Sequence, residues 1–103
     1  MYRLLIIEDE KGIAESIADN LSNYGFETRT IDDFSRTMEI FKDFDPHMVL
    51  LDIKLPYYDG YHYCAEIRKI SKLPIIFISS ASDNMNIIMA MNMGGDDFIT
   101  KPF

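Results

Sequence analysis

The chain has 103 residues, 48% of them hydrophobic, which suits one domain with a real core. Seventeen acids against ten bases give a net charge of −7, which argues against this segment gripping nucleic acid through phosphate contacts. The single cysteine, Cys64, excludes an internal disulfide and reads as a packed thiol in a reducing compartment; no run approaches a membrane span and no secretory signal is visible, so a cytoplasmic location is expected.

Strand and helix signals then alternate. Residues 2–7 predict a strand. Ala14, Ile17, Ala18, Leu21 and Tyr24 recur at helical spacing, and Gly25 closes that helix. Residues 27–31 form a more polar strand suited to a sheet edge. Asp33 can cap a helix with Phe34, Met38 and Phe41 on its apolar face. Residues 48–53 are apolar on both faces, as a central parallel strand is. A turn-rich loop, 55–60, leads to a helix through Cys64, Ile67 and Ile70. Pro74 opens a fourth strand ending at Ser79, residues 84–93 form a fourth helix stopped by Gly94-Gly95, and 97–101 form the fifth strand. Such alternation predicts an α/β fold with a parallel sheet and right-handed crossovers. Five strands with four helices leave one sheet face short, so a fifth helix is expected after Phe103, making 1–103 one domain truncated before its last helix.

The apolar strands end in chemically capable residues. Leu4-Leu5-Ile6-Ile7 runs into Glu8 and Asp9, Met48-Val49-Leu50-Leu51 into Asp52, Ile75-Ile76-Phe77-Ile78 into Ser79, and Phe98-Ile99-Thr100 into Lys101. In an open parallel sheet these ends share the crevice where ligands bind. Three carboxylates in one pocket repel one another unless a cation sits among them, and oxygen ligands of this kind suit a hard divalent ion such as Mg²⁺. Beside such an ion an aspartate can act as a nucleophile toward phosphorus, with Lys101 neutralising one phosphoryl oxygen and Ser79 donating a hydrogen bond to another. Singly, each residue has a plainer reading: Glu8-Asp9-Glu10 as a solvated turn, Asp52 as a turn cap, Ser79 as a polar strand end, Lys101 as surface. Their joint occurrence at successive strand ends favours the chemical reading. His47 and His62 stand away from the strand ends and read as structural or surface residues.

The pieces Glu8-Asp9-Glu10, Leu51-Asp52, Leu55-Pro56, Asp59-Gly60, Pro74-Ile75-Ile76 leading to Ser79, Gly94-Gly95-Asp96-Asp97-Phe98 and Lys101-Pro102-Phe103 resemble a bacterial two-component response-regulator receiver domain. The resemblance spans nearly the whole chain and implies a flavodoxin-like, doubly wound sheet of order 2-1-3-4-5. It implies that Asp52 is the phospho-acceptor, that Asp9 is a direct Mg²⁺ ligand with Glu8 acting through water, and that the backbone carbonyl of Lys54 is a further ligand. Lys101 takes the phosphoryl-pairing position, Ser79 the hydroxyl switch position (Ser80 competes for it) and Phe98 the aromatic switch position. Implied partners are a sensor histidine kinase, a second copy through the face of the fourth helix and fifth strand, and an output domain.

The Lys-Pro-Phe ending is most similar to OmpR/PhoB-type regulators, which carry a DNA-binding domain, so transcription regulation belongs to the full-length protein. The stretch Ile76-Phe77-Ile78-Ser79-Ser80 resembles Gram-positive regulators answering cell-envelope or peptide-antibiotic stress. Against the family pattern, Tyr58 replaces the usual Met, Phe98 the commoner Tyr, and Gly95 the usual Ala, which is expected to loosen the turn before the last strand. The apolar fourth helix, with Met85, Met89, Met91 and Met93, suits an interaction face or a soft core.

The expected role is therefore a signalling switch that catalyses only its own phosphotransfer and dephosphorylation. Two alternatives are a Mg²⁺-dependent aspartyl phosphatase and a degenerate receiver that binds partners without phosphorylation. The first lacks its second acid, since that position is Lys54, and the second is opposed by the intact Glu8, Asp9, Asp52 and Lys101.

Overall fold

The computed structural model describes residues 1–79 and 84–100, with the backbone alone for 84–86. In chain order the elements are β1 (Arg3–Ile7), α1 (Lys11–Asn23), β2 (Glu27–Thr30), a 3-10 turn (Phe34–Arg36), α2 (Thr37–Phe44), β3 (Met48–Asp52), α3 (Gly60–Arg68), β4 (Ile75–Ser79), α4 (Asn84–Asn92) and β5 (Asp97–Thr100). The strands form one parallel sheet of order β2-β1-β3-β4-β5, the doubly wound order expected.

Strand periodicity splits the core into two layers. Leu5, Ile7, Val49, Leu51, Ile75 and Phe77 face the layer capped by Ile40 and Phe41 of α2, Cys64 and Ile67 of α3, and Ala90 of α4. Ile6 and Ile78 face the other way, against Ala14 and Ile17 of α1. Each Val, Leu, Ile or Phe side chain so withdrawn from water contributes about 1.5–3 kcal/mol. The same two-sided burial explains why β1, β3 and β4 are continuous apolar runs, while edge strand β2 reads Glu-Thr-Arg-Thr.

The amino ends of the strands are tied down by two arginines. Arg3 Nε donates to the carbonyls of Phe44 and Asp45 at 3.1 and 2.9 Å, and the Arg3 amide donates to Nδ1 of His47 at 2.9 Å, which gives His47 the structural role expected of it. Arg68 donates from Nε to Gly94 O (2.9 Å), from one terminal nitrogen to Leu73 O (2.7 Å) and from the other to Asp96 Oδ2 (2.8 Å). That carboxylate oxygen also accepts the Ile75 amide at 2.8 Å, so one clip joins the end of α3, the starts of β4 and β5, and the exit from α4.

Several local details differ from the sequence reading. Asp33 caps the 3-10 turn rather than α2, accepting from the amide and hydroxyl of Ser35 at 3.0 and 2.6 Å. Tyr24 and Ile70 are exposed, because α1 and α3 stop before helical spacing can carry them onto the buried face. Gly95 tightens its turn instead of loosening it. Its amide donates to Ala90 O at 3.0 Å, and a Cβ there would lie 2.7 Å from the Phe77 ring. Met93 packs against the core, whereas Ile88, Met89 and Met91 are exposed on α4.

Candidate functional site

Parallel pairing of β1 with β3 sets Ile7 opposite Leu51, so the next residues, Glu8 and Asp52, emerge side by side. Both are buried, at 2% and 5% exposure, and Asp9 lies at the surface beside them. One carboxylate oxygen from each of Glu8, Asp9 and Asp52 falls within 4.8 Å of the others. Glu8 Oε2 accepts the Glu10 amide at 3.2 Å, and Asp52 Oδ1 accepts the Ile53 amide at 2.7 Å. These hydrogen bonds orient the two buried acids. An all-oxygen donor set of three carboxylates matches the chemistry of a small divalent cation such as Mg²⁺.

The loop after β3 forms one wall of this site. Asp9, Ile53, Lys54, Leu55, Pro56 and Asp59 line an open depression of about 550 Å³. Lys54 is exposed within it. Asp59 ends the loop by capping α3, its carboxylate accepting the His62 amide at 2.9 Å. Gly60 then passes against the strand end: its amide donates to Ile53 O at 2.7 Å, and a side chain there would overlap the carbonyl oxygen of Asp52. The pair Asp59-Gly60 thus sets where Asp52 sits, a role that sequence reading did not assign, although an Asp cap followed by glycine was its visible signal.

Ser79 is buried at the end of β4, one residue beyond the Asp52–Ile78 pairing, which places it on the strand next to the acids. Its partner in the β4–β5 register is Thr100. Lys101 and Ser80 lie outside the described residues. Phe98 is half-buried, packed against the core layer that contains Phe77. Cys64 is buried and its thiol donates to Met93 O at 3.1 Å; burial pushes its pKa up, which keeps it an unreactive packing residue. His62 stacks on Tyr58 with ring centroids 4.0 Å apart, away from the acids.

The response regulator receiver domain profile matches residues 4–103. The chain belongs to that family. This receiver domain is 46% identical over 103 residues to the uncharacterized transcriptional regulatory protein YvcP of Bacillus subtilis, covering 100% of this chain and 44% of that protein. Among solved structures, the N-terminal domain of the nisin resistance regulator NsrR, a lantibiotic response regulator, is 42% identical with a TM-score of 0.90, covering 100% of this chain and 87% of that one. The beryllofluoride-activated receiver domain of Klebsiella pneumoniae RstA is 30% identical with a TM-score of 0.93, covering 98% and 86%. The chain spans less than half the length of the curated relatives it matches. They are OmpR-like regulators, in keeping with the resemblance drawn from the Lys101-Pro102-Phe103 ending. The receiver domain is a part of a two-component response regulator. No helix among the described residues is long and apolar enough to cross a membrane.

Proposed function

We propose that this receiver domain is a phosphorylation switch in which Asp52 accepts a phosphoryl group from the phosphohistidine of a sensor histidine kinase. The observation that carries the reading is the convergence of Glu8, Asp9 and Asp52 within 4.8 Å at the carboxyl ends of adjacent strands. An Asp52 carboxylate oxygen forms the new P–O bond as the donor's P–N bond breaks, and the freed imidazole takes up a proton. Glu8, Asp9, Asp52 and the backbone carbonyl of Lys54 hold Mg²⁺, which when bound neutralises charge on the phosphoryl oxygens. Lys101 pairs with the phosphoryl group, and the Ser79 hydroxyl donates to it.

The added charge biases a two-state equilibrium. Ser79 and Phe98 report the change to the face made by α4 and β5, where Ile88, Met89, Met91 and Ile99 are exposed. That face serves self-association or contact with a DNA-binding output domain in the full-length, cytoplasmic protein. The domain catalyses its own phosphotransfer and dephosphorylation and turns over no separate substrate. The likeness to a nisin resistance regulator supports a peptide-antibiotic or envelope stimulus.

Acetyl phosphate with Mg²⁺ is expected to add one phosphoryl group to the chain, detected by mass spectrometry, and none to Asp52→Ala. An unmodified wild-type chain, or equal labelling of the variant, overturns the reading. Turnover of a model phosphomonoester points instead to a phosphatase.

A further inference from the structure

Four of the seven methionines, Met85, Met89, Met91 and Met93, cluster on and just beyond α4. Ala90 is fully buried in the core layer that contains Phe77, and its neighbours in the sequence, Met89 and Met91, lie to either side of that contact, 44% and 43% exposed. Successive helical residues are about 100° apart, so these two thioethers flank the buried line of the helix and meet water. Met93 packs against the core, and Met38 and Met48 are half-buried. No charged residue occurs in α4, so the exposed patch of Ile88, Met89 and Met91, with Ile99 of β5, is apolar.

Leucine or isoleucine would supply the same apolar area and lose less side-chain entropy on burial. What the thioether adds is a sulfur open to oxidation. The one thiol of the chain is shut away. Cys64 is fully buried, it donates to Met93 O at 3.1 Å, and burial raises its pKa, so an oxidant in water meets α4 first.

We propose that Met89 and Met91 form a reversible oxidation site through which a peroxide switches off the apolar α4 face while leaving the carboxylate site intact. The inference rests on the reading of that face as a surface for self-association. With hydrogen peroxide, the thioether sulfur attacks one peroxide oxygen, the O–O bond breaks and an S=O bond forms. The proton of the transferred oxygen passes to the departing hydroxide, which leaves as water; sulfur loses two electrons and the peroxide gains two. Each product is a sulfoxide, a polar hydrogen-bond acceptor where an apolar group stood. Burying it in an interface without a donor costs about tenfold or more in affinity. Both side chains already stand in water, so the sulfoxides displace nothing in the core. Glu8, Asp9 and Asp52, at the ends of β1 and β3, are untouched by this chemistry.

The test treats the full chain with hydrogen peroxide, quenches with catalase, and then adds acetyl phosphate and Mg²⁺. Peptide mapping by mass spectrometry is expected to show one added oxygen at Met89 and at Met91 before Met38, Met48 or Met93 is modified. The association constant of the phosphorylated chain in sedimentation is expected to fall at least about tenfold, with phosphoryl uptake as before. Methionine sulfoxide reductases A and B with dithiothreitol are expected to restore association. Met89→Leu with Met91→Leu keeps every other methionine, including Met1 at 84% exposure, and its association constant is expected to be the same before and after peroxide. Oxidation of Met93 ahead of the pair, association unmoved by peroxide, or an equal fall in the double variant overturns the proposal. A phosphorylated chain that fails to associate before any peroxide is added overturns the reading of the face, and this inference with it, so the two failures are told apart.

Discussion

Gly60→Ala is the smallest change that strikes the candidate site through its scaffold. A methyl group there overlaps the carbonyl oxygen of Asp52 and comes within 3.0 Å of Ile53 Cα, both backbone atoms that cannot rotate away. Either α3 must draw back from the sheet or the end of β3 must bend. Overpacking of this sort costs about 1–3 kcal/mol. Drawing α3 back also stretches the 2.7 Å hydrogen bond from the Gly60 amide to Ile53 O, a further loss of about 0.5–1.5 kcal/mol. The sum, about 1.5–4.5 kcal/mol, is a large share of the 5–15 kcal/mol typical of a small domain. Gly12→Ala is the matched control: it lies in α1 with open space around it and should stabilise by about 0.5–1 kcal/mol through helix propensity alone. Urea denaturation without Mg²⁺ gives both numbers. A Gly60→Ala variant as stable as the wild type would refute the claim that this contact positions Asp52. The variant that folds at reduced temperature should also take up phosphate from acetyl phosphate more slowly, since its nucleophile is displaced.

Arg68→Met should cost about 2 kcal/mol, since it leaves the Gly94 and Leu73 carbonyls without their charged donor. Hydrogen exchange should quicken around residues 73–75 and 94–96 before it quickens in β1, and uniform acceleration would count against a local clip. Ile88→Lys with Met89→Lys should weaken self-association in sedimentation while leaving phosphorylation intact; an unchanged sedimentation profile of a dimeric wild type removes α4 from the interface. The hydroxyl and then the amide of Ser35 hold Asp33 below the usual aspartate value of 3.8. A carboxyl lowered in the folded state stabilises above its unfolded pKa and loses that contribution as pH falls through the folded one. The stability gap between wild type and Asp33→Ala should therefore shrink as pH drops below 3.8, and a gap constant across that window refutes the assignment.

The acidic cluster was legible because β1 and β3 are apolar runs that stop abruptly at acids, and strand ends in a parallel sheet are neighbours. The strand order came through motif resemblance, since local patterning carries no information on which strands are adjacent. Other features had no local signal. Arg68 reads as any charged residue near a helix end, yet its acceptor Gly94 O lies 26 positions away. The left-handed turn at Tyr57 was invisible because its usual markers, glycine and asparagine, are absent. Tyr24 and Ile70 misled because helical spacing says where a face points but not where the helix stops.

The two arginine clips give the domain a mechanical polarity. Arg3 and Arg68 bolt connecting backbone to the amino ends of the strands, while the opposite rim holds the carboxylates of Glu8, Asp9 and Asp52. The sheet is therefore anchored at one end, and the phosphoryl group proposed for Asp52 would arrive at the other, away from these ties.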